Sequence, residues 1–316
     1  MVSAAFVSLI GQSQAIELLE SAVAQQHVAP AYLFVGPEGV GRSLAASAWA
    51  EQLLSPTKSP SSLRHRIQQR NHPDLLWVEP TYLHQGKRLT ATEAMDIGLR
   101  RKSPPQIRLE QVREISRYLS RPPLEAERAV VVIEQAETMA ESAANGLLKT
   151  LEEPGRATLI LLAPDRSALL PTLVSRCQQV AFRRLSAAEM QQVLTQSGQA
   201  EILAHPEILA IAQGSPGQAI ASWQQRQAIP AELLQALRQP PATLRQALEQ
   251  ARHIAKTLEI ETQLWLVDYL QHQYWQVSTT ASIPYLQQLE QARQHLLGFV
   301  QPRLVWEVTL MQLVRS

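Results

Sequence analysis

Short runs of β-branched and other apolar residues alternate with helical patterns over the first part of the chain. This alternation is typical of an α/β domain with a parallel sheet, because strands buried on both faces form continuous apolar segments. The pattern therefore predicts an α/β domain over residues 1–185. Its candidate strands are Tyr32–Val35, Leu75–Glu79, Ala129–Ile133, Thr158–Leu162 and Gln179–Phe182.

The remainder of the chain predicts helices alone. Residues 186–224 have the pattern of short helices, interrupted by the turn signal Gly214–Gly217. From residue 225 onward, apolar residues such as Ile254 and Leu258 recur at helical spacings. The fold class is therefore α/β followed by all-α. The predicted parts are an α/β domain over 1–185, a small helical domain over 186–224 and a larger helical domain over 225–316.

Composition narrows the function classes. The chain has 316 residues, a formal net charge of +1 and 45% hydrophobic residues, which indicates a folded protein rather than a disordered one. A near-zero charge argues against a protein that binds nucleic acid alone over a wide surface. No apolar run approaches the ~20 residues of a membrane span, and the first residues lack the basic start of a signal peptide. We therefore expect a cytoplasmic location and no membrane partner.

Cysteine content bears on metal binding. Cys177 is the single cysteine, so the sequence offers neither an internal disulfide nor a cysteine-based zinc site. We therefore expect no bound zinc and no structural metal. A catalytic thiol has no supporting pattern, and packing is the simpler interpretation of Cys177.

The most informative motif follows the first predicted strand. It reads Gly36-Pro37-Glu38-Gly39-Val40-Gly41-Arg42-Ser43 and leads into a helical pattern. A strand, a glycine-rich loop and a helix form the context of a phosphate-binding loop, whose backbone N–H groups and helix N-terminus attract phosphate. Arg42 stands where the motif has lysine, and arginine is a planar fork rather than a point charge. The sequence predicts a degenerate nucleotide site at Gly36, Gly39, Gly41, Arg42 and Ser43; the alternative is a turn that merely starts a helix.

A second nucleotide element is also weakened. Glu134 follows the apolar strand Ala129–Ile133 and could hold the Mg²⁺ of a nucleotide. Gln135 is neutral and cannot act as the base that orients an attacking water, although an ordinary surface glutamine fits equally well. We therefore expect no required cofactor, at most weak binding of ATP or ADP with Mg²⁺, and little or no ATPase activity.

Two further segments carry a family resemblance. Ala144–Pro154, with the sequence ANGLLKTLEEP, and Leu169–Cys177, with the sequence LLPTLVSRC, resemble segments of the bacterial clamp-loader subunits of DNA polymerase III. His72-Pro73-Asp74 and the loop at Gly36–Ser43 extend the resemblance over roughly the first 220 residues. The weakened loop and Gln135 favour the delta prime family over the ATP-hydrolysing gamma/tau family.

The resemblance implies both an architecture and partners. It implies an AAA+ core, a small helical lid and a helical collar that joins a hetero-pentamer with gamma/tau and delta subunits. Such a complex loads the sliding clamp onto primer-template DNA. It also implies that Arg176 acts in trans, as an arginine finger at a neighbour's ATP site, where a guanidinium stabilises transition-state charge. Without the flanking motif, the simpler interpretation of Arg176 is a surface arginine paired with Glu152 or Glu153.

Several departures from the family pattern favour a scaffold over an active ATPase. The stretch Leu54–Val78 lacks the four zinc-binding cysteines of many relatives, so that module is absent or restructured. Leu162 continues into Ala163-Pro164 without a polar sensor residue, and Gln218 stands where a lid arginine is common. The alternatives are an active AAA+ ATPase of the gamma/tau kind, in which Arg42 replaces lysine, and another AAA+ DNA-processing motor subunit.

Basic residues offer candidate contacts to DNA phosphates. They are Arg64, Arg66 and Arg70, together with Arg100-Arg101-Lys102. A solvated loop surface is the commoner explanation for such residues. The polar segments Pro56–Ser62 and Lys102–Gln106 predict loops.

Overall fold

The computed structural model describes residues 4–55, 61–97, 103–277 and 283–315. The chain divides between Val193 and Leu194 into two compact units, an α/β unit followed by a helical unit. The predicted fold class, α/β followed by all-α, is therefore confirmed. Residues 56–60 of the first predicted loop and the basic segment Arg100–Lys102 lie outside the described residues.

A parallel sheet forms the centre of the first unit. The described strands are β1 (Ala31–Val35), β2 (Leu75–Val78), β3 (Tyr82–His84), β4 (Lys87–Leu89), β5 (Ala129–Ile133), β6 (Ala157–Ala163) and β7 (Gln178–Ala181). Five of them pair in the order β2-β5-β6-β1-β7, and every pairing in this sheet is parallel. Each of the five predicted strands is confirmed to within one residue at either end.

Helices cover the sheet and build the second unit. The described helices are α1 (Ser13–Ala24), α2 (Arg42–Leu54), α3 (Ser61–Gln68), α4 (Ala91–Asp96), α5 (Leu109–Leu119), α6 (Glu141–Glu152), α7 (Pro171–Val174), α8 (Ala187–Gln196), α9 (Pro206–Ala212), α10 (Pro216–Ala228), α11 (Ala231–Ala236), α12 (Leu244–Thr257), α13 (Ile260–Val277), α14 (Ile283–Leu297) and α15 (Pro302–Arg315). None of these described helices is long and apolar enough to span a membrane.

The central strands are buried on both faces, which is why they form unbroken apolar runs. Side chains of a strand alternate between faces, so neighbouring residues of β1 belong to different layers. Leu33 packs in a cluster with Ile115 of α5 and Leu147 of α6. Tyr32 contacts Trp49 of α2 on the other face, with ring centroids 5.6 Å apart. The result is a three-layer α/β/α arrangement, and the C-terminal ends of its strands share one edge.

The sequence patterns did not predict a hairpin and a short helix that lie outside the parallel sheet. Strands β3 and β4 form an antiparallel hairpin whose turn, Gln85-Gly86, has positive φ angles of 48° and 79°. Helix α4 follows, with a capping box in which Thr90 and Glu93 exchange hydrogen bonds. The hairpin and the helix occupy part of the chain between β2 and α5 that a sequence pattern of alternating strands and long helices does not anticipate.

The second unit is helical throughout its described residues. Helix α12 packs against α15, and α13 packs against α14. The buried Trp306 donates from Nε1 to Oε1 of Gln263 at 2.8 Å, which satisfies both polar groups inside the apolar core. Residue 224 lies within α10, so this helix spans the boundary predicted between the lid and collar regions. The division into three domains stays a prediction.

Candidate functional site

The glycine-rich loop connects β1 to α2, as the sequence predicts. Gly36 is packed so tightly that a Cβ atom there would lie 2.4 Å from the carbonyl oxygen of Phe182. Gly39 and Gly41 have φ angles of 75° and 106°, in the left-handed region that glycine adopts without strain. Gly41 immediately precedes α2, so the N–H groups of the first turn are directed towards the loop. The loop therefore has the glycine conformations and the following helix N-terminus that the predicted nucleotide site requires.

A buried glutamine braces this loop. Nε2 of Gln12 donates to the carbonyl of Val40 at 3.2 Å and to that of Arg183 at 2.7 Å. Its Oε1 accepts from the Arg183 N–H at 3.0 Å. The Gln12 side chain thus links the loop to the segment that follows β7. Sequence reasoning missed Gln12, because an isolated glutamine carries no pattern that marks it.

Arg42 stands in an acidic environment. Burial lowers the pKa of its guanidinium, while Glu137, Glu38 and Glu134 act in the opposite direction. Burial also raises the pKa of the Glu137 carboxyl. Nη1 of Arg42 is buried without a hydrogen-bond partner among the described residues, so this donor fits a phosphate oxygen. The surrounding carboxylates disfavour phosphate binding, because their negative charges repel a triphosphate at short range.

The predicted magnesium ligand has a partner within the chain. Oε1 of Glu134 lies 3.6 Å from Nη2 of Arg70. Arg70 also bonds Glu79 at 3.1 Å and lies over the Trp77 ring at 4.7 Å from its centroid. Gln135 is exposed, and its side chain is a neutral amide rather than a carboxylate. In the part of the chain that the structure describes, no group of three His, Cys, Asp or Glu residues could hold a metal ion.

The arginines considered as DNA contacts are engaged locally. Arg64 bonds the buried Glu51 at 2.9 Å, and Arg66 bonds Glu125 at 2.8 Å. Arg70 has the acidic partners described above. Since each guanidinium is paired with a carboxylate of the same chain, a solvated surface explains these residues better than a phosphate-binding patch does.

The His72-Pro73-Asp74 motif has a structural role. The buried Asp74 carboxylate accepts hydrogen bonds from the backbone N–H groups of Leu124, Glu125 and Ala126 at 2.6, 2.7 and 2.8 Å. Burial alone would raise the pKa of Asp74, but the three amides outweigh it and the pKa is lowered. The motif therefore fastens the segment ahead of β5 to the chain just before β2.

Arg176 lies on the surface and bonds within its own chain. Its Nε and Nη2 donate to Oε1 of Glu152 at 3.1 and 2.7 Å. Its Nη1 donates to the carbonyl of Thr172 at 3.0 Å. The pairing with Glu152 that the sequence left open is therefore present. The side chain is still 38% exposed, so an approaching molecule can reach it.

Topology separates Arg176 from the glycine-rich loop of its own chain. The loop follows the C-terminal end of β1, whereas Arg176 comes just before the N-terminal end of β7. Strand β7 pairs with β1 in parallel, with Gln178 opposite Tyr32, so the span of β1 from Tyr32 to Val35, about 10 Å, lies between them. Glu152 ends the helix that precedes β6 and so lies at the same edge as Arg176. Arg176 therefore lies at the opposite end of the sheet strands from the glycine-rich loop of its own chain.

Cys177 packs against the core next to Arg176. Burial raises the pKa of its thiol from 9.0 to about 12, which reduces the reactive thiolate on the order of a thousandfold. We expect a thiol reagent such as DTNB to label the native protein far more slowly than the urea-unfolded chain at the same pH. Equal labelling rates in the two states would contradict the packing role.

Comparison with known families covers both units. The sequence model of a family described as "DNA polymerase III, delta subunit" matches residues 11–186. A second, described as "Cyanobacterial DNA polymerase III delta prime, C-terminal domain", matches residues 188–313. The first match alone extends over more than half of the chain.

Individual relatives agree with the family matches. DNA polymerase III subunit delta′ of Pseudomonas aeruginosa is 34% identical over 201 residues, covering 60% of this chain and 54% of that protein. The delta′ subunit of Bacillus subtilis is 30% identical over 181 residues, covering 55% and 48%. The chain thus spans about half the length of the curated relatives it matches.

A solved structure supports the fold. A DNA polymerase III gamma subunit-related protein from Thermotoga maritima matches with a TM-score of 0.54 at 16% identity. The match covers 96% of this chain and 99% of that one. At this level of identity the likeness concerns architecture only, and it agrees with the AAA+ fold that the sequence implies.

Proposed function

The chain belongs to the delta prime family of DNA polymerase III clamp-loader subunits, and on this premise we propose that it supplies Arg176 in trans to a neighbouring ATPase subunit. It would act in the cytoplasm within a hetero-pentamer of gamma/tau and delta subunits. That complex loads the sliding clamp onto primer-template DNA. In this proposal the chain forms or breaks no covalent bond, and ATP hydrolysis occurs at a partner's phosphate loop.

The observation that carries the proposal is the separation of two features within one subunit. The glycine-rich loop lies at the C-terminal edge of the sheet, and Arg176 is exposed at the opposite edge. A guanidinium in this position cannot serve its own loop, but it can meet a loop presented by another subunit. Charge that develops on a transferring phosphoryl group is stabilised by such an arginine.

The chain's own loop supports a non-hydrolytic role. The glycine backbone and Nη1 of Arg42, which has no hydrogen-bond partner among the described residues, can bind a phosphate group, so weak binding of ATP or ADP with Mg²⁺ is part of the proposal. Glu134 forms an ion pair with Arg70, and Gln135 cannot accept a proton from water. ATP would supply only binding energy at this loop, and the proposal requires neither a nucleotide cofactor nor zinc.

An ATP hydrolysis assay on the isolated chain tests this role. We expect no turnover above the protein-free rate in single-turnover conditions, with or without DNA, because the loop lacks a lysine and a water-orienting carboxylate. A separately purified gamma/tau subunit, assayed under the same conditions, serves as the active control.

Assembly is tested by a second experiment. Co-purification with gamma/tau and delta subunits, followed by mass measurement, should give a hetero-pentamer.

The same experiments separate the alternatives. Robust hydrolysis by the isolated chain would indicate an active ATPase of the gamma/tau kind. Tight, salt-dependent DNA binding by the isolated chain, without assembly, would indicate another DNA-processing motor subunit. Either result would contradict the proposed function.

A further inference from the structure

We propose that Glu152 is a positioning residue, which together with the main-chain carbonyl of Thr172 holds the Arg176 guanidinium ready for a phosphate group of a neighbour's nucleotide. This inference rests on the proposed arginine-finger function and deepens it. It concerns a residue that the sequence offered only as an alternative explanation for Arg176.

The hydrogen bonds of Arg176 use only part of the donor capacity of the guanidinium. An arginine side chain carries five N–H donors in a fixed planar fork. Glu152 receives the Nε donor and one Nη2 donor, and Thr172 receives one Nη1 donor. Two donors, one on each Nη atom, therefore have no partner among the described residues. Guanidinium N–H donors bind phosphate oxygens through charge-assisted hydrogen bonds.

The position of Glu152 is fixed by the end of its helix. Glu152 is the last residue of α6, and Pro154 prevents the helix from continuing. Thr150, two residues before Glu152, is buried and shares a hydrogen bond of 3.1 Å with Ser116 of α5. A carboxylate at a helix C-terminus opposes the helix dipole, so Glu152 is electrostatically unfavourable there without a cation such as Arg176.

The other anchor is equally well held. Helix α7 inserts the fully buried Leu173 into the core below the sheet. The backbone N–H of Arg176 donates to the Leu173 carbonyl at 3.1 Å. Thr172 also accepts from Oγ of Ser175 at 3.1 Å, so its carbonyl direction is constrained. The backbone of both acceptor residues is thus anchored to the α/β unit, Glu152 at the end of α6 and Thr172 within α7.

This arrangement reduces the cost of ordering a long side chain. A free arginine must lose rotamer freedom when it meets a phosphate, whereas Arg176 is already held by three hydrogen bonds. Glu152 accepts from Nε and from one donor of Nη2, and the second Nη2 donor has no partner among the described residues. We therefore assign Glu152 a role in presenting the guanidinium.

Steady-state ATP hydrolysis by the assembled complex tests the inference, with every other active site disabled. Glu152→Ala is expected to lower kcat at the adjacent site between about tenfold and a hundredfold, because the guanidinium loses its orientation. The KM for ATP should change little. Glu152→Gln retains an oxygen acceptor at the same place and should restore most of the activity. Glu153→Ala is the matched control, since Glu153 is exposed and its side chain has no partner among the described residues.

The outcomes distinguish this inference from the function on which it rests. In the Arg176→Ala background, Glu152→Ala should have no further effect, because the two residues act together. Unchanged or increased turnover in Glu152→Ala, combined with a large loss in Arg176→Ala, would overturn the positioning role and leave the finger intact. No loss in Arg176→Ala would overturn the finger itself. Failure of Glu152→Ala to assemble would also contradict the inference, because positioning predicts an intact complex by mass.

Discussion

Replacement of Arg176 by alanine is expected to lower ATP turnover at the adjacent subunit's site on the order of a thousandfold, which is the lower range for loss of an arginine finger. The physical reason is that the guanidinium acts on charge present only in the transition state. We therefore expect kcat to fall while the equilibrium affinity of that site for ATP changes little. The measurement is DNA-stimulated hydrolysis in the reconstituted complex, with the other phosphate loops disabled.

The controls address assembly and charge. Arg176 is exposed and its ion pair with Glu152 is at the surface, so the variant should fold and assemble normally. Mass measurement of the complex checks this. Arg176→Lys keeps the positive charge but loses the planar fork, and should recover only part of the activity. Wild-type turnover in the alanine variant would exclude the finger assignment.

Replacement of Asp74 by alanine is expected to destabilise the α/β unit by about 3 kcal/mol at neutral pH. The substitution leaves the N–H groups of Leu124, Glu125 and Ala126 without the carboxylate that accepts from all three. It also removes a buried anion beside His72. Burial lowers the pKa of the His72 imidazole. Urea unfolding of the full chain measures the change in the free energy of unfolding.

The effect of Asp74 should depend on pH with a defined sign. Because the folded-state pKa lies below the ordinary value of 3.8, the carboxylate stabilises the native state fully above about pH 4. This contribution is lost as the pH falls through the folded-state pKa, so the difference between wild type and Asp74→Ala should narrow there. Asp96→Asn is the control, since Asp96 is exposed, and we expect a change within about 0.5 kcal/mol. A difference between wild type and Asp74→Ala that stays constant down to pH 2 would contradict the account.

The buried sheet was predictable because its strands leave a strong signal. The run Val130–Ile133 is completely buried, and such strands need apolar side chains on both faces. Their ends were predicted to within one residue, since turn residues or charges follow directly. The motif also predicted the glycine-rich loop between β1 and α2, where the close approach of Phe182 leaves no room for a side chain at Gly36.

The β3–β4 hairpin gave a much weaker signal. Each strand is only three residues long, and Tyr82 is the one buried residue of the two strands, so no extended alternation of apolar residues can develop. Its turn is Gln85-Gly86, whereas Asn-Gly or Asp-Gly would be the recognisable two-residue turn. The capping box of Thr90 and Glu93 was the one local signal that could have predicted α4.

Contacts between distant segments explain what the sequence could not predict about the site. Arg70 reaches Glu134 and Gln12 reaches Arg183, and no local pattern marks either pair. Their effect is chemical: the candidate metal ligand already has a cation, and the loop already has a brace. The sequence offered the pairing of Arg176 with Glu152 as one alternative. Only the structure shows that two guanidinium donors have no partner among the described residues.

The central claim is that the guanidinium of Arg176 contacts a nucleotide bound by another subunit. A structure of the assembled complex with ADP and a mimic of the transferring phosphoryl group tests it most directly. The account predicts the Nη atoms of Arg176 within about 3 Å of the mimic in the neighbour's loop, with Glu152 still bonded to Nε. An Arg176 side chain that stays remote from every neighbouring nucleotide would contradict it.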